Sequence, residues 1–330
     1  MADTPAVPTT NRSTLPTSAT FTDYISSGWA EVAERPRAPR EQSAFAAERR
    51  NRISAMHPGT RLVIPAGDLA TRSNDTEYPY RADSAFAYLT GWGADTVPSS
   101  VLVLEPVGNA HEATVYFRET ARRGTSEFYA DPAIGEFWQG PRPSLAHVAA
   151  DLALKTASLS DLPDATATGS PHTLDLAEGG ELARDLSELR LTKDSFEIAQ
   201  LRAAVAATKR GFDDVIADFP NVIAHSRGER VVEGTFNRRA RADGNTVGYD
   251  TIAASGAHAC ILHWTRNDGA VTPGDLILID AGVELDSYYT ADITRTLPVS
   301  GSFTPLQREI YEAVREAADA AFAIVKPGIT

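Results

Sequence analysis

Residues Leu276–Pro298 read LILIDAGVELDSYYTADITRTLP. Two runs rich in β-branched and large apolar residues, LILID at 276–280 and YYTADITRTL at 288–297, flank Gly282-Val283-Glu284-Leu285-Asp286-Ser287, which reads as a hairpin reversal. Each run carries an aspartate, Asp280 and Asp292. Pairing about Asp286 sets the two opposite each other on one face, with Cβ atoms about 5 Å apart. Like charges held that close in an apolar setting repel unless a cation lies between them or one carboxylate is protonated. Hard carboxylate oxygens suit Mn²⁺, Mg²⁺ or Ca²⁺. Two solvated, turn-flanking aspartates are the alternative that the pattern leaves open.

A chain of 330 residues with 42 % hydrophobic content can build two domains with sizeable cores. Its formal net charge of -13 argues against nucleic acid or an anionic membrane surface as partner. The single cysteine, Cys260, excludes an intrachain disulfide and suits a reducing compartment. No apolar run reaches membrane-spanning length and no secretory leader pattern opens the chain, so a cytoplasmic location is expected.

Residues 1–40, rich in Thr, Pro, Ser and Ala, read as an extended, mobile extension, with Phe21, Tyr24, Ile25 and Trp29 as the side chains able to dock. Residues 41–185 read as a mixed α/β domain. It begins with a helix over Arg40–Met56 and a strand over Arg61–Pro65; strands over Ser100–Leu104 and Ala113–Phe117 join through a turn at Pro106–Asn109. An amphipathic helix follows over 144–156. Thr71–Arg81 is too polar and irregular for either regular element and reads as a functional loop or a solvated turn. His57, His111, His147 and His172 stand isolated and read as surface or capping residues.

Residues 186–330 read as a second domain. A helix starts at Lys193–Glu197 and stops before Pro220, a second covers Glu229–Asp243, and strands follow at Thr251–Ala254 and Cys260–Trp264. After the hairpin, Thr304-Pro305 caps a helix running to about Val325.

Two carboxylates alone hold a metal weakly. His258 and His263 are the nearby candidates for a third group. Five residues apart on a continuous strand they face opposite ways, and His263, in the more regular run, is expected to point inward as a titratable hydrogen-bonding group. Glu284 and Asp286 read as turn surface, and Trp264, Tyr288 and Tyr289 as pocket lining or hairpin packing.

Gly248-Tyr249-Asp250, Ala254 to Cys260, Leu262-His263-Trp264, Ile279-Asp280-Ala281-Gly282 and Ala291-Asp292-Ile293-Thr294-Arg295-Thr296 together resemble the Xaa-Pro aminopeptidases, of the creatinase, prolidase and methionine aminopeptidase superfamily. Thr71–Arg81 with Phe86 and Tyr88-Leu89-Thr90-Gly91-Trp92 looks like the non-catalytic N-terminal domain of the same family. The resemblance implies an α/β N-terminal domain followed by an α+β "pita-bread" catalytic domain. It matches Asp280 to a ligand of one metal ion, Asp292 to a ligand bridging two ions, usually Mn²⁺, and His263 to a histidine beside the scissile bond. The implied reaction is hydrolysis of the bond between an N-terminal residue and a following proline. A prolidase-type dipeptidase, or an inactive chain that binds peptides or partners, are the alternatives. Dimers or tetramers are common in the family, so a homo-oligomer is expected.

Two departures accompany the resemblance. Asp280 and Asp292 are twelve residues apart, one more than is usual, and an inserted residue flips one carboxylate unless the turn or a bulge absorbs it; Leu285-Asp286-Ser287 is the place expected to do so. The family's remaining ligands, a histidine and two glutamates, have no match between Phe303 and Thr330, where Glu309, Glu312 and Glu316 read as a solvated helix face. The expectation is therefore a C-terminally truncated, inactive catalytic domain.

Overall fold

A computed structural model describes residues 18–30, 37–74, 76–121, 123–167 and 172–329. The chain divides into two units, Met1–Ile198 with Asp286–Tyr288, and Ala199–Leu285 with Tyr289–Thr330.

In the first unit the elements run α1 (Ala19–Ser26), α2 (Glu41–Met56), β1 (Arg61–Pro65), β2 (Thr71–Ser73), β3 (Thr76–Glu77), α3 (Ser84–Thr90), β4 (Val101–Val107) and β5 (Ala110–Phe117). They continue as α4 (Ser126–Ala130), α5 (Glu136–Gln139), α6 (Leu145–Leu152), β6 (Lys155–Ser158), α7 (Leu162–Ala167), β7 (Thr173–Asp175) and α8 (Gly180–Leu191). Five strands form one mixed sheet in the order β6-β5-β4-β1-β7. Its centre is antiparallel, Leu62 facing Leu104 and Ile64 facing Leu102, while β7 and β6 join the two edges in parallel. Period-two alternation sends Leu62, Ile64, Leu102, Leu104 and Val115 into a core with Ile53 of α2 and Phe86 and Leu89 of α3, all fully buried. Each such side chain contributes about 1.5–3 kcal/mol by leaving water. Asp83 starts α3 by accepting the backbone N–H groups of Ala85 and Phe86 at 2.7 and 3.2 Å.

Three expectations for this region need correction. Residues 19–26 are helical rather than extended: Ser18 caps the helix, and Phe21 and Ile25, four apart, pack on Phe128–Ala130. Of the expected extension, residues 1–17 and 31–36 lie outside the described residues. Thr71–Ser73 and Thr76–Glu77 are strands: β2 and β3 pair antiparallel with a register shift between Thr71 and Ser73, and Asn74 has φ 52°, a conformation that Asn tolerates. The helix expected over 144–156 stops at Leu152, where Ala153 turns left-handed and the chain enters β6.

The second unit is entered through α9 (Ser195–Ala217), then α10 (Phe219–Ala224), α11 (Gly228–Asp243), β8 (Thr246–Val247), β9 (Ile252–Ser255), β10 (Leu276–Ala281), β11 (Val283–Glu284), β12 (Ile293–Pro298) and α12 (Pro305–Ala323). A reciprocal capping box opens α9: Glu197 accepts Asp194 N–H at 2.8 Å and Asp194 accepts Glu197 N–H at 2.9 Å. Strands order as β12-β10-β9. Along β10 burial alternates, so Ile277, Ile279 and Ala281 pack with Val215, Val232 and Phe236 of α9 and α11. Asp280 has the opposite parity and lies on the other face.

Arg239 ties α11 to α9 with a two-pronged grip on Asp214, at 2.7 and 3.0 Å, and reaches Asp243, which also accepts from Arg210 at 2.6 Å. Thr304 and Gln307 form a capping box at the start of α12, whose Glu309, Glu312 and Glu316 are exposed; Leu306, Ile310 and Val314 are exposed as well. Among the described residues no helix is long and apolar enough to cross a membrane.

Candidate metal centre

The hairpin is centred on Ser287, one residue beyond the expected Asp286. Leu276 faces Pro298, Asp280 faces Thr294, and Glu284 faces Thr290, so one register runs the whole ladder. A three-residue turn, Asp286–Tyr288, absorbs the extra residue, with Tyr288 at φ 65° closing it. Asp280 and Asp292 thus share a face but sit diagonally, two residues out of register. Asp292 falls beside Gly282, where a Cβ would lie 1.6 Å from Ala291 O. Only glycine permits that approach.

Tyr249 completes the pair. It follows β8, which pairs with β11, and Gly248 N–H donates to Gly282 O at 2.9 Å. A Cβ on Gly248 would meet Thr290 Cγ2 at 2.1 Å, so this approach too depends on glycine. Tyr249 Oη lies 2.6 Å from Asp280 Oδ1 and 3.0 Å from Asp292 Oδ1, and Thr294 Oγ1 donates to Asp280 Oδ2 at 2.8 Å. A phenol has one proton to donate, and two carboxylates meet it. Burial, followed by those two hydrogen bonds, pushes the Tyr249 phenol above its ordinary value, so it remains a donor. Two hard anionic oxygens around a single proton fit a divalent cation. Tyr249 escaped the sequence reading as a site residue because it belongs to no strand and its partners lie 31 and 43 residues away.

No strand runs from Cys260 to Trp264. Gly256–Cys260 is a short 3₁₀ turn and the following loop contains His263, which is exposed. The cause is Glu229, fully buried and surrounded by donors from this loop: Ser255 N–H at 2.8 Å, His258 Nδ1 at 2.8 Å, Trp264 Nε1 at 2.9 Å and Gly269 N–H at 2.7 Å. A buried carboxylate costs least when its lone pairs are filled, and folding the loop around it fills them. His258, stacked on Trp264 at 3.9 Å, is the histidine so engaged. Asn267, also fully buried, locks the loop onto β9 by accepting Ala253 N–H at 3.0 Å and donating to Thr251 O at 2.8 Å.

Glu284 is not turn surface: it is 3 % exposed, and Asn245 Nδ2 donates to it at 3.0 Å. Asp286 is exposed, and Tyr288 packs in the core of the first unit. Among the described residues, no further His, Cys, Asp or Glu closes with Asp280 and Asp292 into a set of three within 4.8 Å; the one such set is His57, Glu181 and Asp185 of the first unit. His57, expected at the surface or as a cap in isolation, is 6 % exposed.

The sequence matches Metallopeptidase family M24 over residues 199–330 and the Aminopeptidase P, N-terminal domain over residues 45–168. It is 46 % identical to Xaa-Pro aminopeptidase 2 of Streptomyces coelicolor, across 94 % of this chain and 68 % of that protein. Xaa-Pro aminopeptidase of Escherichia coli is 32 % identical, across 86 % of this chain and 68 % of its own length. The solved structure of aminopeptidase P from E. coli in its low-pH form superposes with a TM-score of 0.71 at 28 % identity, covering 88 % of this chain and 70 % of that one.

Proposed function

From the premise that this chain belongs to the Xaa-Pro aminopeptidases of metallopeptidase family M24, we propose that Asp280 and Asp292 are its metal ligands in the hydrolysis of Xaa-Pro bonds at peptide N-termini. The observation that carries the reading is the convergence of both carboxylates on one Tyr249 proton. Two Mn²⁺ ions are the proposed occupants; when bound they would lower the pKa of water and polarise the scissile carbonyl.

The chain's own residues then have separate tasks. Tyr249 keeps its proton and orients one oxygen of each aspartate, and Thr294 fixes the second oxygen of Asp280. His263, on the loop held by Glu229, hydrogen-bonds the substrate beside the bond to be cut. Residues 41–185 form the non-catalytic domain and 186–330 belong to the catalytic domain. Substrates are peptides with proline in second position. A cytoplasmic setting and assembly as a dimer or tetramer belong to the same reading.

In an active enzyme carrying this sequence, Asp292→Ala abolishes Mn²⁺-dependent release of the N-terminal residue from a Xaa-Pro tripeptide, whereas Glu309→Ala, on the exposed face of α12, leaves it nearly unchanged. Comparable losses in both would overturn the placing of Glu309 on a solvated face, and retained activity in Asp292→Ala would remove Asp292 from the site.

A further inference from the structure

Apart from the hairpin, one cluster in the first unit has metal-binding chemistry. His57 is the residue that ends α2, and Glu181 and Asp185 stand four apart, one above the other, on the first turns of α8. Their ligand atoms all fall within 4.8 Å of one another. His57 is nine-tenths buried, and its Nε2 makes no hydrogen bond. Asp185 Oδ2 lies only 3.1 Å from that nitrogen, yet the pair lacks hydrogen-bond geometry. A buried imidazole nitrogen that makes no hydrogen bond and faces a carboxylate 3.1 Å away offers a donor pair that a cation between them would satisfy.

We propose that His57 Nε2 and the carboxylates of Asp185 and Glu181 form a divalent-cation site of the zinc class, separate from the hairpin carboxylates. The distances suit that metal: tetrahedral bonds of about 2.0–2.2 Å leave ligand atoms roughly 3.3 Å apart, near the observed His57–Asp185 separation. Glu181 is exposed, so its side chain can swing the remaining distance without disturbing the core. One imidazole with two carboxylates suits Zn²⁺ better than Mg²⁺ or Ca²⁺, which take oxygen alone. The N-terminal end of α8 favours the ionised carboxylates that a metal needs. The competing contact is Arg184 Nε, 3.5 Å from Asp185 Oδ1, on a side chain that is 68 % exposed. Such a solvated pair holds Asp185 weakly. Bound Zn²⁺ would pin the end of α2 to the start of α8.

The test is a Zn²⁺ titration, against a competing chromophoric chelator, of the full chain carrying Asp280→Asn and Asp292→Asn. One equivalent of Zn²⁺ is expected. Adding His57→Gln should weaken it by roughly tenfold or more, since loss of a direct ligand outweighs loss of an outer partner. Glu181→Gln, at an exposed position that cannot compromise folding, should weaken it too. No bound Zn²⁺ in the parent, or affinity unchanged by both substitutions, would reduce the cluster to an ion pair and overturn the proposal. Loss or survival of Mn²⁺ binding at Asp280 and Asp292 has no bearing on this result.

Discussion

Tyr249 Oη lies 2.6 Å from Asp280 Oδ1, and the same oxygen reaches the Asp292 carboxylate. Without a metal, this phenol is the group that separates the two anions. Tyr249→Phe should therefore lower the stability of chelator-treated protein by about 1.5–3 kcal/mol in urea unfolding, the worth of a hydrogen bond to a charged group. Added Mn²⁺ should close most of that gap, because the cation takes over the neutralising task. Equal losses with and without Mn²⁺ would show that the phenol serves packing alone.

Glu229 is the second organising point. Glu229→Ala strands its four donors and should cost about 3–5 kcal/mol in all, since a buried donor left unpaired costs about 1–3 kcal/mol. Glu229→Gln keeps part of the acceptor capacity and should cost less. Amide hydrogen exchange should rise first across 256–269, the segment folded around it. Uniform protection across that segment in the alanine variant would refute this role.

Asp214 carries a pH signature. The hydrogen bonds from Arg239 hold its carboxyl below the usual carboxylate value. A lowered folded-state pKa gives stability that is present above the unfolded value, about 3.9, and is lost as pH falls through the folded one. Asp214→Asn should thus be less stable than wild type at neutral pH, with the difference shrinking towards pH 2 in thermal unfolding. A difference that grows on acidification would contradict the assignment.

Gly282→Ala tests the hairpin itself. Its new methyl meets Ala291 O, in the residue next to Asp292. Forcing such an overlap typically costs about 1–3 kcal/mol, and here it should also weaken Mn²⁺ binding. Unaltered metal affinity in a folded Gly282→Ala protein would separate the glycine from the site.

The hairpin was legible in the sequence because two runs rich in β-branched and large apolar residues flank a segment with turn chemistry. Its exact centre was not: whether an extra residue enters the ladder or the turn depends on Tyr288 accepting a left-handed backbone, which composition does not signal. The strand expected over Cys260–Trp264 failed for a different reason. Its residues suit a strand, but Glu229, at the start of a helix some 30 residues earlier, takes Ser255 N–H before them and the Trp264 indole at their end, and a tertiary demand of that kind leaves no periodic trace. His57, Glu181 and Asp185 escaped notice likewise, because only the fold brings residue 57 to residues 181 and 185.

The central claim is that Asp280 and Asp292 hold a divalent metal. Mn²⁺ titration followed by electron paramagnetic resonance tests it most directly, comparing the wild-type chain with Asp280→Asn/Asp292→Asn and with His57→Gln. Wild type and His57→Gln should bind Mn²⁺ alike, and the double aspartate variant should lose that binding while remaining folded. Undiminished Mn²⁺ binding by the double variant would contradict the account.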